Sequence, residues 1–208
     1  SNSTGVSNFY AVDFRFPSTN PLSEVILWGA NATNDQDYAT SYIPTQGATS
    51  TRLADIANNS GNASLINSEE GTIFFEGSAL SDDLTPKAIT INDTTASNEL
   101  GFYYYGNRID AYVKVDGLNE FYVIENITDA TIISKIALKY KENDFALWVN
   151  GIKVATDTSG NVPIGLSELA FKNFFGKTKA LAVYKTALTD ANLRSLTYPS
   201  AVATTFDL

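Results

Sequence analysis

The sequence predicts an all-β protein: two antiparallel sheets packed as a sandwich, with one short helix near the C-terminus. Two observations carry this. From Glu70 onward, short runs of alternating apolar and polar residues recur at regular spacing, separated by turn residues. Only one later stretch, KTALTDANLRSLT, carries the punctuation of a helix.

The clearest signal lies in residues 132–156, IISKIALKYKENDFALWVNGIKVAT. Ile136, Leu138 and Tyr140 alternate with Ala137, Lys139 and Lys141, the two-residue period of a strand with one buried face. Glu142-Asn143-Asp144 breaks the period as a turn, and Phe145, Leu147 and Val149 resume it. Asn150-Gly151 then supplies a type I′ hairpin, because both residues tolerate positive φ. Ile152 and Val154 start the return strand. Such a meander needs a second sheet over its apolar face.

Further strands are expected at residues 9–16 (FYAVDFRF), 24–28 (EVILW), 71–76 (GTIFFE), 87–92 (KAITIN), 99–105 (ELGFYYY), 108–115 (RIDAYVKV), 121–124, 166–171 and 179–184. Gly106-Asn107 joins the fifth and sixth of these. Residues 1–8 read as a linker, and residues 38–55 as an extended arm interrupted by Pro44 and Gly47. Residues 58–67, rich in Asn, Ser and Gly, read as a loop and domain boundary. The expected domains are therefore 1–57, the last strands of a preceding β domain plus the arm, and 58–208, the sandwich. In the helix, Thr189 is the N-cap, Asp190 complements the dipole, and Leu188 and Leu193 occupy the hydrophobic staple positions. Leu193 and Leu196 face inward, and Tyr198-Pro199 ends the helix. The remaining tail reads as an extended strand or a mobile end.

Composition narrows the chemistry. The chain has no Cys and no His, which removes disulfides, thiol chemistry, and the commonest general base and transition-metal ligand. Net charge is −9, which disfavours nucleic acid and anionic membranes as partners. No apolar run approaches the roughly eighteen residues of a membrane helix, and no leader is visible. The chain begins at Ser1 and contains no Met, so a fragment or processed product is expected.

The ending KALAVYKTALTDANLRSLT resembles the closing strand and helix of laminin-G-like, concanavalin-A-like lectin domains, and residues 135–160 are similar to their central strands. Residues 27–55, LWGANATNDQDYATSYIPTQGATSTRLAD, resemble the junction before such domains in bacteriophage tail-fibre and virion surface proteins. The matching pieces are Trp28-Gly29-Ala30, the TSYIPT of residues 40–45, Gly47, Thr51-Arg52 and Ala54-Asp55; residues 31–37 depart from the usual pattern, where Gln-Leu-Glu is common. The resemblance implies a jelly-roll sandwich, a virion-surface location, contact with other virion proteins, frequent homotrimers, and binding of host-surface glycan; the leading expectation is a module that binds without cleaving. The alternatives are a structural capsid-decoration or head-fibre module and a polysaccharide depolymerase.

Aromatic rings stack on the C–H faces of sugars, so the glycan candidates are Tyr103, Tyr105 and Trp148, with Asp110 and Tyr112 beside them in RIDAYV. On a strand Tyr103 and Tyr105 point one way and Phe102 and Tyr104 the other, so either one pair is core and the other is exposed on a sheet face, or all four pack or lie at a subunit contact. Trp148 leaves the face that Leu147 and Val149 fill, as either a sugar platform or core packing. Calcium is common in lectin-like sandwiches; the loop carboxylates available for it are Asp82, Asp83, Asp93 (with Asn92) and Asp157, none with a diagnostic spacing. The paired-acid strand of related glucanases, E-x-D-x-x-E, is absent, and Glu69 and Glu70 point apart, so no catalytic residue is expected. Arg52 is expected to pair with Asp55 or with a neighbouring subunit's carboxylate.

Overall fold

The computed structural model describes residue 48 and residues 60–199. The expected strands at residues 9–16 and 24–28, the arm apart from residue 48, the Arg52–Asp55 pair and the C-terminal tail lie outside the described residues. The chain divides into two compact units, Ser1–Thr51 and Arg52–Leu208, and every described strand belongs to the second.

Ten strands form two five-stranded antiparallel sheets. The strands are β1 (Glu70–Ala79), β2 (Lys87–Asn92), β3 (Glu99–Tyr104), β4 (Arg108–Val115), β5 (Leu118–Asn126), β6 (Ser134–Lys141), β7 (Phe145–Val149), β8 (Ile152–Asp157), β9 (Glu168–Lys172) and β10 (Gly176–Tyr184). One sheet has the order β10-β1-β6-β7-β8, and the other β5-β4-β3-β2-β9. This is the expected jelly-roll, lectin-like sandwich. The meander is β6-β7-β8, and the second sheet covers its apolar face.

The core follows from the alternation. Ile73 and Phe75 of β1, Ile136, Leu138 and Tyr140 of β6, and Phe145 and Leu147 of β7 point inward from the first sheet. Ile89, Ile91, Leu100, Phe102, Tyr104, Ile109, Ala111 and Val113 meet them from the second. Phe75 and Phe102 bridge the two sheets with ring centroids 5.9 Å apart. Asn150 and Gly151 have φ of 48° and 81°, as the type I′ hairpin requires.

Among the boundaries that differ from expectation, three have clear physical reasons. β1 runs past Glu76 to Ala79 through a bulge between Glu76 and Gly77, which lets the strand turn without ending. β5 spans nine residues rather than four, because Asp116 and Gly117 (φ 51° and 83°) fold straight back into it as a tight hairpin. β9 starts at Glu168, two residues late, after Gly165 takes φ 72° and Leu166 is buried ahead of the strand.

Helix α1 (Asp190–Thr197) lies on the outer face of the first sheet. Thr189 caps it, accepting from the Asn192 backbone N–H at 3.3 Å. Leu188 and Leu193 both join a second cluster with Phe74, Ala137, Ala146 and Trp148. Ala137 and Ala146 leave room for the helix, and Thr197 ties its last turn to the central hairpin by accepting from the Gly151 N–H at 3.2 Å. Among the described residues no helix is long and apolar enough to cross a membrane.

Candidate functional site

The site is the outward face of the second sheet. Antiparallel register fixes its rows: Tyr103 lies opposite Asp110, which lies opposite Ile124, and Gly101 lies opposite Tyr112, which lies opposite Tyr122. Every residue named in those rows alternates with a core residue, so its side chain leaves the sandwich. Gly101 is required by close approach: a Cβ there would sit 2.2 Å from the Ile89 carbonyl oxygen.

At the centre is an ion pair. Arg108 Nε lies 2.8 Å from Asp110 Oδ1, and Arg108 donates from a terminal nitrogen to Asp110 Oδ2 at 3.1 Å. The Nε–H is not aimed for a second hydrogen bond, so the contact at Oδ1 is an ion pair only. Tyr122 donates its hydroxyl to Asp110 Oδ2 at 2.8 Å. Asp110 is fully buried while Arg108 is 35% exposed, so the carboxylate forms the floor and the guanidinium reaches the surface. The Arg108 guanidinium also lies over the Tyr105 ring, 4.7 Å from its centroid, which holds its plane.

The tyrosines frame this pair. Tyr103 and Tyr105 are half-buried, and Tyr122 is 45% exposed. Burial first, then hydrogen bonding to Tyr122 and Asp110, pushes the Tyr103 phenol well above the ordinary range. Tyr103 packs against Tyr112 with centroids 6.0 Å apart. Tyr112 is buried and donates to Glu99, whose other oxygen accepts from Lys172. Burial, then the charge of Glu99, raises the Tyr112 phenol strongly. Lys114 lies over the Tyr112 ring at 4.8 Å.

The structure thus brings together four of the five glycan candidates, Tyr103, Tyr105, Asp110 and Tyr112, and separates the fifth. Trp148 is a correction to the platform alternative: it is only 5% exposed, on the opposite sheet, packed beneath α1. The physical reason is that Leu193 covers the face its indole leaves by. Asp110 is likewise closed over rather than open to solvent, so its oxygens act through Arg108 and Tyr122. Arg108, Tyr122 and Ile124 were not among the sequence candidates. The signal for Arg108 is its period-two spacing from Asp110 and Tyr112; that for Tyr122 is its alternation with the buried Phe121.

The calcium candidates are not brought together. Among the described residues no group of three or more acidic side chains is placed to hold an ion. Each carboxylate is spent locally instead. Asp83 accepts from Lys87 at 2.6 Å and the Thr85 N–H at 2.8 Å, and the bonds from Lys87 and then Ser81 hold it far below the ordinary carboxylate range. Asp93 closes a turn by accepting from the Thr95 N–H at 2.9 Å, and Asp157 does the same with Ser159 at 2.9 Å. Asp82 meets Asn107 at 3.4 Å.

Burial also raises the Tyr104 and Tyr140 phenols, which makes four such tyrosines. A phenol whose folded-state pKa lies above the ordinary 10.0 contributes stability fully present below pH 10 and lost as pH rises through the folded value. In an alkaline titration, tyrosinate absorbance from these four is expected only together with loss of the β-sheet circular dichroism. Full ionisation of all eleven tyrosines in a chain with native dichroism would contradict the burial described.

No family model matches the sequence, and no curated protein matches it. Similar solved structures share the fold. The carbohydrate-binding module of the Ruminococcus gnavus intramolecular trans-sialidase, solved bound to α2,3-sialyllactose, aligns with TM-score 0.55 at 17% identity over 69% of this chain and 94% of that one. The leech intramolecular trans-sialidase aligns with TM-score 0.54 at 18% identity, over 65% of this chain and 24% of the enzyme. A heptameric pentraxin of Limulus polyphemus aligns with TM-score 0.53 at 12% identity, over 68% of this chain and 75% of that one. The chain is a lectin-like jelly-roll sandwich of this kind.

Proposed function

We propose that this chain is a glycan-binding module that holds saccharide on the outer face of its second sheet and does not cleave it. The observation that carries the reading is the grouping of Tyr103, Tyr105 and Tyr122 around the Arg108–Asp110 pair. Aromatic faces meet sugar C–H surfaces, and a planar guanidinium offers donors in fixed directions to ring hydroxyls. Binding without cleavage is favoured because the two buried acids of this face, Asp110 and Glu99, are already engaged by Arg108 and Lys172. Sialyllactose bound to the R. gnavus module is consistent with glycan as the ligand class.

The setting we propose is the virion surface of a bacteriophage, in a tail fibre or receptor-binding protein that contacts other virion proteins and forms a homotrimer. It rests on the resemblance at residues 27–55. Several weak sites on one fibre gain avidity through high effective concentration. The alternative, a purely structural module, would have Tyr103, Tyr105 and Trp148 all buried or at protein contacts; Trp148 is packed, and Tyr103 and Tyr105 are half-buried within this chain.

The test is binding of the purified chain to a glycan array and to host cells. Tyr103→Ala and Tyr122→Ala are each expected to weaken saccharide binding by about tenfold, since stacking on one aromatic face contributes roughly 1 kcal/mol or more. Retention of full affinity in both variants would move the site elsewhere.

A further inference from the structure

We infer that this face selects uncharged, hydroxyl-rich saccharides and discriminates against sialylated or other acidic ones, an inference that rests on the glycan reading above. The cations of the face already have partners. Arg108 is paired with the buried Asp110, and Lys172 with the buried Glu99. Lys114 lies on the Tyr112 ring, and strand register places it directly opposite Glu99. Register also puts Glu168 on this face, opposite Asn92. Three cations, Arg108, Lys114 and Lys172, therefore meet three acids, Asp110, Glu99 and Glu168, and among the described residues the face carries no net charge.

An incoming carboxylate has two routes to Arg108, and both are unfavourable. Displacing Asp110 strands a fully buried charge without its counter-ion. Binding alongside Asp110 sets two anions on one guanidinium, on a chain of net charge −9. A neutral sugar meets neither obstacle. One terminal N–H of the guanidinium donates to Asp110 and Nε lies against the same carboxylate as an ion pair, leaving the other terminal N–H donors for hydroxyl oxygens. The rings of Tyr103, Tyr105 and Tyr122 then provide contact that needs no charge. Discrimination thus comes from the repulsive element built under the site as much as from attraction.

The experiment uses the whole 208-residue chain on an array that places each neutral oligosaccharide beside its sialylated and uronic-acid counterparts. The expected result is preference for the neutral member by at least about tenfold, with affinity changing less than about twofold between low and high salt. Asp110→Asn keeps the shape and frees the guanidinium, so it is expected to gain acidic-glycan binding that salt weakens. Preference of the unaltered chain for acidic members overturns this inference and leaves the glycan reading standing. Binding to neither class overturns both. The neutral-versus-acidic comparison on the unaltered chain decides the matter even where Asp110→Asn does not fold.

Discussion

Trp148→Ala is expected to cost about 3–5 kcal/mol of folding stability and to leave saccharide affinity unchanged in the fraction that folds. The indole is 5% exposed and fills the space between β7 and α1 with Phe74, Ala137, Ala146 and Leu193. Those neighbours are two alanines, a Phe and a Leu on regular elements, so they have little freedom to collapse into the void. Lys153 sits 5.7 Å above the ring and pairs with Asp190 of α1, so the loss loosens the helix as well. Leu193→Ala opens the same void from the other side, and the double variant is expected to fall short of the sum of the singles. Urea unfolding followed by circular dichroism measures both. A cost below about 1 kcal/mol for Trp148→Ala would show that α1 does not seal this face. Loss of saccharide binding in a folded Trp148→Ala chain would return the indole to the role of a sugar platform.

Trp148 also marks how far the sequence could be read. Alternation along β7 shows which way the indole leaves the core face, because direction is a local property of a strand. What covers it is a helix some forty residues further on, and no local pattern states that docking. The hairpins were legible because their turns are local: Asn150-Gly151 adopts the positive φ that only such residues tolerate. Asp116-Gly117 carries the same kind of signal, but the apolar residues 121–124 alone set the expected strand, which made β5 short. The cost was larger than a boundary, since β5 brings Tyr122 to Asp110. Arg108 was visible as part of RIDAYV, yet its pairing with Asp110 depends on both side chains bending back along one strand, which spacing permits but does not dictate. The fate of the loop acids was more accessible. Asp93 and Asp157 each precede a Thr or Ser by two residues, and such spacing favours a carboxylate that closes its own turn over one that waits for a metal.

Arg108→Ala is expected to cost about 3 kcal/mol, the lower part of the range for removing one partner of a buried ion pair. The lower part applies because Arg108 is 35% exposed and water reaches its place, while Asp110 is left fully buried with tyrosine hydroxyls but no counter-ion. Replacing both partners by apolar groups of similar size, Arg108→Met with Asp110→Leu, removes the stranded charge and is expected to bring stability back to within about 1 kcal/mol of the unaltered chain. The two single substitutions and the double then form a cycle whose interaction energy, of order 1–3 kcal/mol, measures the pair itself. Saccharide binding is expected to be lost in the members that lack Arg108, including the stable double variant. That combination separates the two explanations of a buried ion pair on a sandwich face. A pair kept for stability would leave the double variant unstable; a pair kept for its donors leaves it stable and unable to bind. Additive single effects would mean that the contact between Arg108 and Asp110 does not hold in solution. Full binding by the double variant would remove the guanidinium from the site and leave the tyrosines as its only recognition elements.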